Sequence, residues 1–126
     1  MTNTNKQIDY WIRTAEEDLS TAEILIRENR TLHGLFFCHL VIEKAIKAHF
    51  VKSTGENAPR THNIMYLSDR AGLSFDEESQ IFMGILMKYQ LEGRYPDYNP
   101  TLPERKKIID YYDKTKNLFQ WLKKKL

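Results

Sequence analysis

A chain of 126 residues, 41% of them apolar, holds enough material for one hydrophobic core and little for a second, so it reads as a single domain over residues 1–126. Its 19 Lys and Arg residues nearly balance 17 Asp and Glu residues at a net charge of +2, which argues against a dedicated electrostatic nucleic-acid binder and leaves local RNA contact open. The opening MTNTNKQIDYW lacks an apolar secretory core and no apolar run approaches the ~18 residues of a membrane span, so the expectation is a cytoplasmic protein with no membrane segment.

Ile8, Trp11, Ile12, Ala15, Leu19, Ala22 and Ile26 are spaced 3, 1, 3, 4, 3 and 4 apart, the stripe of one amphipathic helix. Asn3, Thr4 or Asn5 is available to cap its start, and Asn29 is available to stop it. A second helix follows over Gly34 to Lys52, with Leu35 or Phe36, Leu40, Val41, Ala45, Ala48 and Phe50 or Val51 at helical spacing. Short connections favour antiparallel neighbours, so these two are expected to form a hairpin that buries Trp11 and Leu19 against Leu40 and Val41. The single Cys38 has no partner for an intrachain disulfide, and between Phe37 and His39 it is expected to pack as a small buried thiol.

Gly55 and Pro59 break the chain. Thr61 is then expected to cap a short helix over His62 to Arg70, stopped by Gly72. Ser74 stands three residues before Glu77 in a capping-box arrangement, and Ile81, Phe82, Ile85, Leu86 and Tyr89 carry a further helix. Pro96 and Pro100 make Arg94 to Pro100 a loop, because the residue before a proline favours extended backbone. Thr101 to Glu104 again has capping-box spacing, with Pro103 near the first helical position, and Ile108, Tyr112, Thr115, Phe119 and Leu122 carry the last helix. Lys123 to Lys125 suit a helix C-terminus. No segment has strand period, and the expected fold is all-α: an antiparallel up-and-down helical bundle of four main helices and one short one.

Two places carry candidate chemistry. On the second helix His39, Glu43 and Lys47 fall at i, i+4 and i+8 and share one ridge, with Lys44 beside it. The plain reading of Glu43 with Lys47 is a surface ion pair. The functional reading lets Lys44 or Lys47 meet an anionic ligand while Glu43 orients it. In the loop, Arg94, Tyr95, Asp97 and Tyr98 bring together a guanidinium, two phenols and a carboxylate, a set able to stack on a planar base and bind a phosphate. His62, after Pro59-Arg60-Thr61, is placed to stand near such a ligand. The four histidines do not make a metal site, because no Glu-x-x-His pair of the kind used on facing bundle helices occurs. No Gly-rich phosphate loop or dinucleotide fingerprint is present, and no cofactor is expected.

Taken in order, Trp11, Ala15, Asp18-Leu19 and Ala22, then Phe36-x-Cys38-His39, Glu43-Lys44-Ala45-Ile46-Lys47-Ala48, Pro59-Arg60-Thr61-His62, Leu67 and Gly93-Arg94-Tyr95-Pro96-Asp97 resemble the HEPN domain family (higher eukaryotes and prokaryotes nucleotide-binding). The resemblance spans nearly the whole chain. It implies a helical bundle that usually dimerises, proposed to bind nucleotides or RNA and often encoded beside a minimal nucleotidyltransferase as a toxin–antitoxin-like pair. Many members are metal-independent ribonucleases that use an Arg, four to six intervening residues and a His near the start of a late helix. Here no histidine follows Arg94, and Arg27 and His33, with five residues between them, straddle the first interhelical turn instead.

The leading expectation is therefore a HEPN homodimer that accompanies a nucleotidyltransferase and binds a nucleotide or RNA through Glu43, Lys44, Lys47, His62, Arg94, Tyr95 and Asp97, without turnover. The alternatives are a ribonuclease toxin, with His62 as general acid/base and Arg94 stabilising the phosphorane, and a ligand-free protein-interaction module.

Overall fold

Five helices make up the regular structure in the computed structural model, which describes residues 2–91 and 96–126: α1 Thr2–Arg27, α2 Thr31–Thr54, α3 Ile64–Arg70, α4 Glu77–Met87 and α5 Arg105–Lys125. Among the described residues there is no strand, and the fold is the all-α bundle expected from the periodicities. Arg94 and Tyr95 of the loop lie outside the described residues.

The second helix is the hub. It packs along α1 as an antiparallel hairpin and also touches α3, α4 and α5. Its sequence explains why: from Ala45 to Val51 every residue is buried, so the helix has no solvent face in that stretch and must be surrounded. Leu35, Val41, Ile42 and Ile46 of α2 form the core with Ala15 and Ala22 of α1, Leu67 of α3, Leu86 of α4, and Phe119 and Leu122 of α5. Alanines on the α1 stripe let the two long helices approach closely.

Helix ends are set by local chemistry, in part differently from the sequence expectation. Asn29 adopts φ 63, and the bonds Arg30 N–H to Leu25 O (2.7 Å) and Asn29 N–H to Ile26 O (3.1 Å) close α1 in a Schellman arrangement. Gly72 (φ 71) ends α3 the same way, through Leu73 N–H to Ser68 O and Gly72 N–H to Asp69 O. The α3 start is corrected: Asn63, not Thr61, is the cap, and its side chain accepts from the backbone N–H of Met65 and Tyr66. His62 consequently precedes the helix. Asp76, not Ser74, caps α4 by accepting from Ser79 N–H at 2.7 Å, an interaction that holds its carboxyl below the usual range. At α5 the cap position is Glu104, with no side-chain capping bond, and Thr101 lies outside the helix. The start of α1 also moves, since Asn3, Thr4 and Asn5 lie inside the helix.

Tertiary ties fasten the ends of the bundle. The Arg105 guanidinium donates to the carbonyl of Ile26, satisfying the C-terminus of α1. The His49 ring donates from Nε2 to Leu122 O at 2.8 Å, and the Lys52 ammonium donates to Leu126 O. Lys123 pairs with Glu16, and Lys125 lies 4.9 Å from the Trp121 ring centroid.

Gly34 marks the tightest approach of the hairpin, because a Cβ there would meet Ile26 Cγ1 at 2.6 Å. Gly34→Ala is expected to destabilise by about 1–2 kcal/mol, overpacking outweighing the gain in helix propensity. Gly84→Ala in α4, where a Cβ meets nothing within 4 Å, is expected to stabilise by about 0.5–1 kcal/mol. Urea unfolding of both variants checks the pair.

Candidate functional site

The polar ridge of α2 exists, but it does not face water. His39 is fully buried, Glu43 is 3% exposed and Lys47 is buried, so the surface ion pair expected from spacing is instead an interior one. Two segments cover it. Trp11 and Lys47 each lie 18 residues from the turn residue Asn29, so the antiparallel register sets them side by side, with the Lys47 ammonium 5.2 Å from the Trp11 ring centroid. The extended residues before α3 then lay His62 over the carboxylate.

Glu43 is the centre of this cluster. Its Oε2 accepts from Lys47 Nζ at 3.0 Å, and its Oε1 accepts from His62 Nδ1 at 3.0 Å. Because a carboxylate only accepts, Nδ1 is the protonated nitrogen in that bond. His39 Nδ1 stands 3.6 Å from the same Oε1, and neither of its ring nitrogens reaches a well-aligned hydrogen bond. Burial is the main reason that the His39 pKa lies below the ordinary histidine value; the Glu43 charge and the His62 backbone oppose the shift without cancelling it. The buried cluster thus combines one carboxylate with one ammonium, and the His62 side chain, 37% exposed, is its opening to solvent. A histidine whose Nδ1–H is anchored on a buried carboxylate is held in one orientation, the arrangement used to position a general acid or base or a phosphate contact.

Other expected residues are placed elsewhere. The Lys44 ammonium lies 2.6 Å from Asp18 Oδ2 of α1, where it ties the hairpin together. Asp97 is exposed in a turn at 96–97, and among the described residues no ion pair joins it to the Glu43 cluster. The Tyr98 hydroxyl donates to the carbonyl of Lys88, fastening this loop to the end of α4. Trp11 was readable in the sequence as a helix-face residue and Asp18 only within the family resemblance, and the pairing of both with α2 follows only from the hairpin register. Among the described residues no group of three or more His, Cys, Asp or Glu side chains is arranged to hold a metal ion. Cys38 is fully buried, and burial pushes its thiol up to about 11, opposed by a hydrogen bond with Thr115.

The HEPN domain family model matches residues 8–126. The chain belongs to the HEPN family. A solved structure from Thermus thermophilus, described as the crystal structure of TT1696, is similar to this HEPN domain at 20% identity and a TM-score of 0.78, covering 95% of this chain and 98% of that one. That likeness shows a shared fold. Comparison with curated proteins found no match. No described helix is long and apolar enough to cross a membrane.

Three outcomes are expected from this geometry. Glu43→Ala strands a buried ammonium and is expected to cost about 3–5 kcal/mol, whereas Glu43→Gln with Lys47→Met, which removes both charges, recovers most of that loss in urea unfolding. His39 and His49 both have folded pKa values lowered from 6.5, chiefly by burial, so the unfolded chain binds more protons below that value. Stability is then fully present above pH 6.5 and falls as pH drops below it, and His39→Met is expected to flatten that acid slope. The Cys38 thiol is expected to resist a thiol-reactive reagent at neutral pH until the protein is unfolded, read by mass spectrometry.

Proposed function

We propose that this HEPN domain is a nucleotide- or RNA-binding accessory protein that acts as a homodimer in the cytoplasm, as the partner of a minimal nucleotidyltransferase in a toxin–antitoxin-like pair. The observation that carries the binding part of this reading is the His62–Glu43–Lys47 ensemble. A half-exposed histidine is anchored at 3.0 Å on a buried carboxylate, which itself neutralises a buried ammonium. Such a ring offers an oriented donor or acceptor to an anionic ligand, and its supporting carboxylate is shielded from competing solvent. The partner and the dimer come with the family resemblance, and the cytoplasmic setting is the expectation drawn from the sequence. Arg94, Tyr95 and Asp97 extend the proposed ligand contacts through the loop, and Lys44, beside the ridge, is proposed as a further cationic contact. In this reading residues 1–126 act as one unit and require no cofactor.

The same dyad favours a second reading, in which the domain cleaves RNA without a metal and His62 transfers the proton while Arg94 stabilises the phosphorane. Glu43 would then orient the base, as the carboxylate of a hydrolase triad does. Purified protein that leaves RNA intact, alone and with its cognate partner, removes that reading.

The test is a titration of ATP and a short RNA into isotope-labelled protein, followed by amide shifts. Shifts are expected around His62, and His62→Ala is expected to weaken binding about tenfold or more, as loss of a charge-assisted hydrogen bond does. Dimerisation without any shift at millimolar ligand would replace this reading with that of a plain interaction module.

A further inference from the structure

Beside the Glu43 cluster, the first turns of α1 and the chain joining α2 to α3 enclose an open cleft of about 380 Å³, lined by Lys6, Gln7, Tyr10, Trp11, Asn57 and Arg60 among others. The sequence builds it simply. Lys6 and Tyr10, and Gln7 and Trp11, are i, i+4 pairs on adjoining rows of α1, so their four side chains share one side of the helix. Opposite them, Gly55 ends α2 in the left-handed conformation (φ 72), and the chain beyond it brings Asn57 and Arg60 to the cleft.

Three features distinguish this cleft from an ordinary solvated groove. Lys6 and Arg60 stand in it without an ion pair among the described residues, and its described lining contains no carboxylate. Tyr10 is 49% exposed although it is aromatic, and it is braced edge-on by Trp11 with ring centroids 5.2 Å apart at 72°. Trp11 also carries the Lys47 ammonium, so one ring both walls the cleft and contacts the Glu43 cluster.

We infer that this cleft is a binding site for a nucleoside monophosphate unit, with Lys6 and Arg60 on the phosphate, the Tyr10 ring stacked on the base, and the Gln7 and Asn57 amides at the base or sugar edge. Cations without a carboxylate partner select an anion. An exposed, braced aromatic ring selects a planar group, and stacking of this kind tolerates any base. A free mononucleotide and the phosphorylated end of an RNA share this chemistry. The inference rests on the nucleotide-or-RNA reading above and gives the unit a place that includes none of His62, Arg94 or Asp97.

The experiment titrates adenosine 5′-monophosphate, and separately a short 5′-phosphorylated RNA, into the full labelled chain, following the amides of Lys6, Tyr10 and Arg60 and the Trp11 indole. Both cations are exposed, so Lys6→Glu with Arg60→Glu is expected to keep its helical circular dichroism while binding at least about tenfold more weakly. Unphosphorylated adenosine is expected to lose a similar factor, and Tyr10→Ala to reduce the preference for nucleotide over inorganic phosphate. Binding of the mononucleotide identifies a free ligand, and binding of the RNA alone identifies a strand end. Retention of affinity within about twofold in the charge-reversed variant, with loss in His62→Ala, would overturn the cleft assignment and leave the His62 reading standing. No shift with either probe in the unmodified chain would overturn both.

Discussion

Glu43 is a carboxylate held at 3% exposure on the central helix, and withdrawing such a group from water costs several kcal/mol unless its oxygens find donors. Both oxygens do. Lys47 comes from the next turn of the same helix, His62 from the segment before α3, and Trp11 covers the ammonium from α1. Three separate pieces of chain must therefore be in place at once for this charge to be tolerated. The cluster acts as a register pin, since a slip of α1 along α2 would uncover Lys47 and a shift of α3 would strand Glu43.

Helix termini make that placement possible. Left-handed residues at Asn29, Gly55 and Gly72 turn the chain sharply at the ends of α1, α2 and α3, and backbone N–H groups there satisfy helix-end carbonyls. The Asn63 cap is the one that bears on the Glu43 cluster. By starting α3 at Ile64 it leaves His62 in the segment ahead of the helix, where its ring can reach across to α2.

Outside the Glu43–Lys47 pair, burial sorts several titratable groups into two kinds. His39, His49 and Cys38 are enclosed, and burial drives each towards its neutral form, which suits packing rather than chemistry. His62, Lys6 and Arg60 meet solvent around the open end of the hairpin. There the bundle has aromatic rings and cations together, and recognition of a phosphorylated planar ligand needs both. In the proposed reading the α2 ridge supports a site whose contacting groups come from its neighbours.

The helical periods of Ile8 to Ile26 and Leu35 to Val51, with glycine at 55 and 72, determined by themselves that this chain is a helical bundle and where its breaks fall. They did so because a helix side and a left-handed turn are properties of a few neighbouring residues. The ordered motifs likewise made the HEPN family legible. Tertiary structure alone decided which way the His39–Glu43–Lys47 ridge faces, because i, i+4 spacing is identical for a solvated row and a buried one. It also chose Asn63 over Thr61 and Asp76 over Ser74 as caps, since adjacent residues able to cap compete locally and the packing of the helix selects among them. The meeting of Trp11 with Lys47, and of His62 with Glu43, depends on hairpin register and on the path after Gly55, and both are set by the packing of the whole bundle.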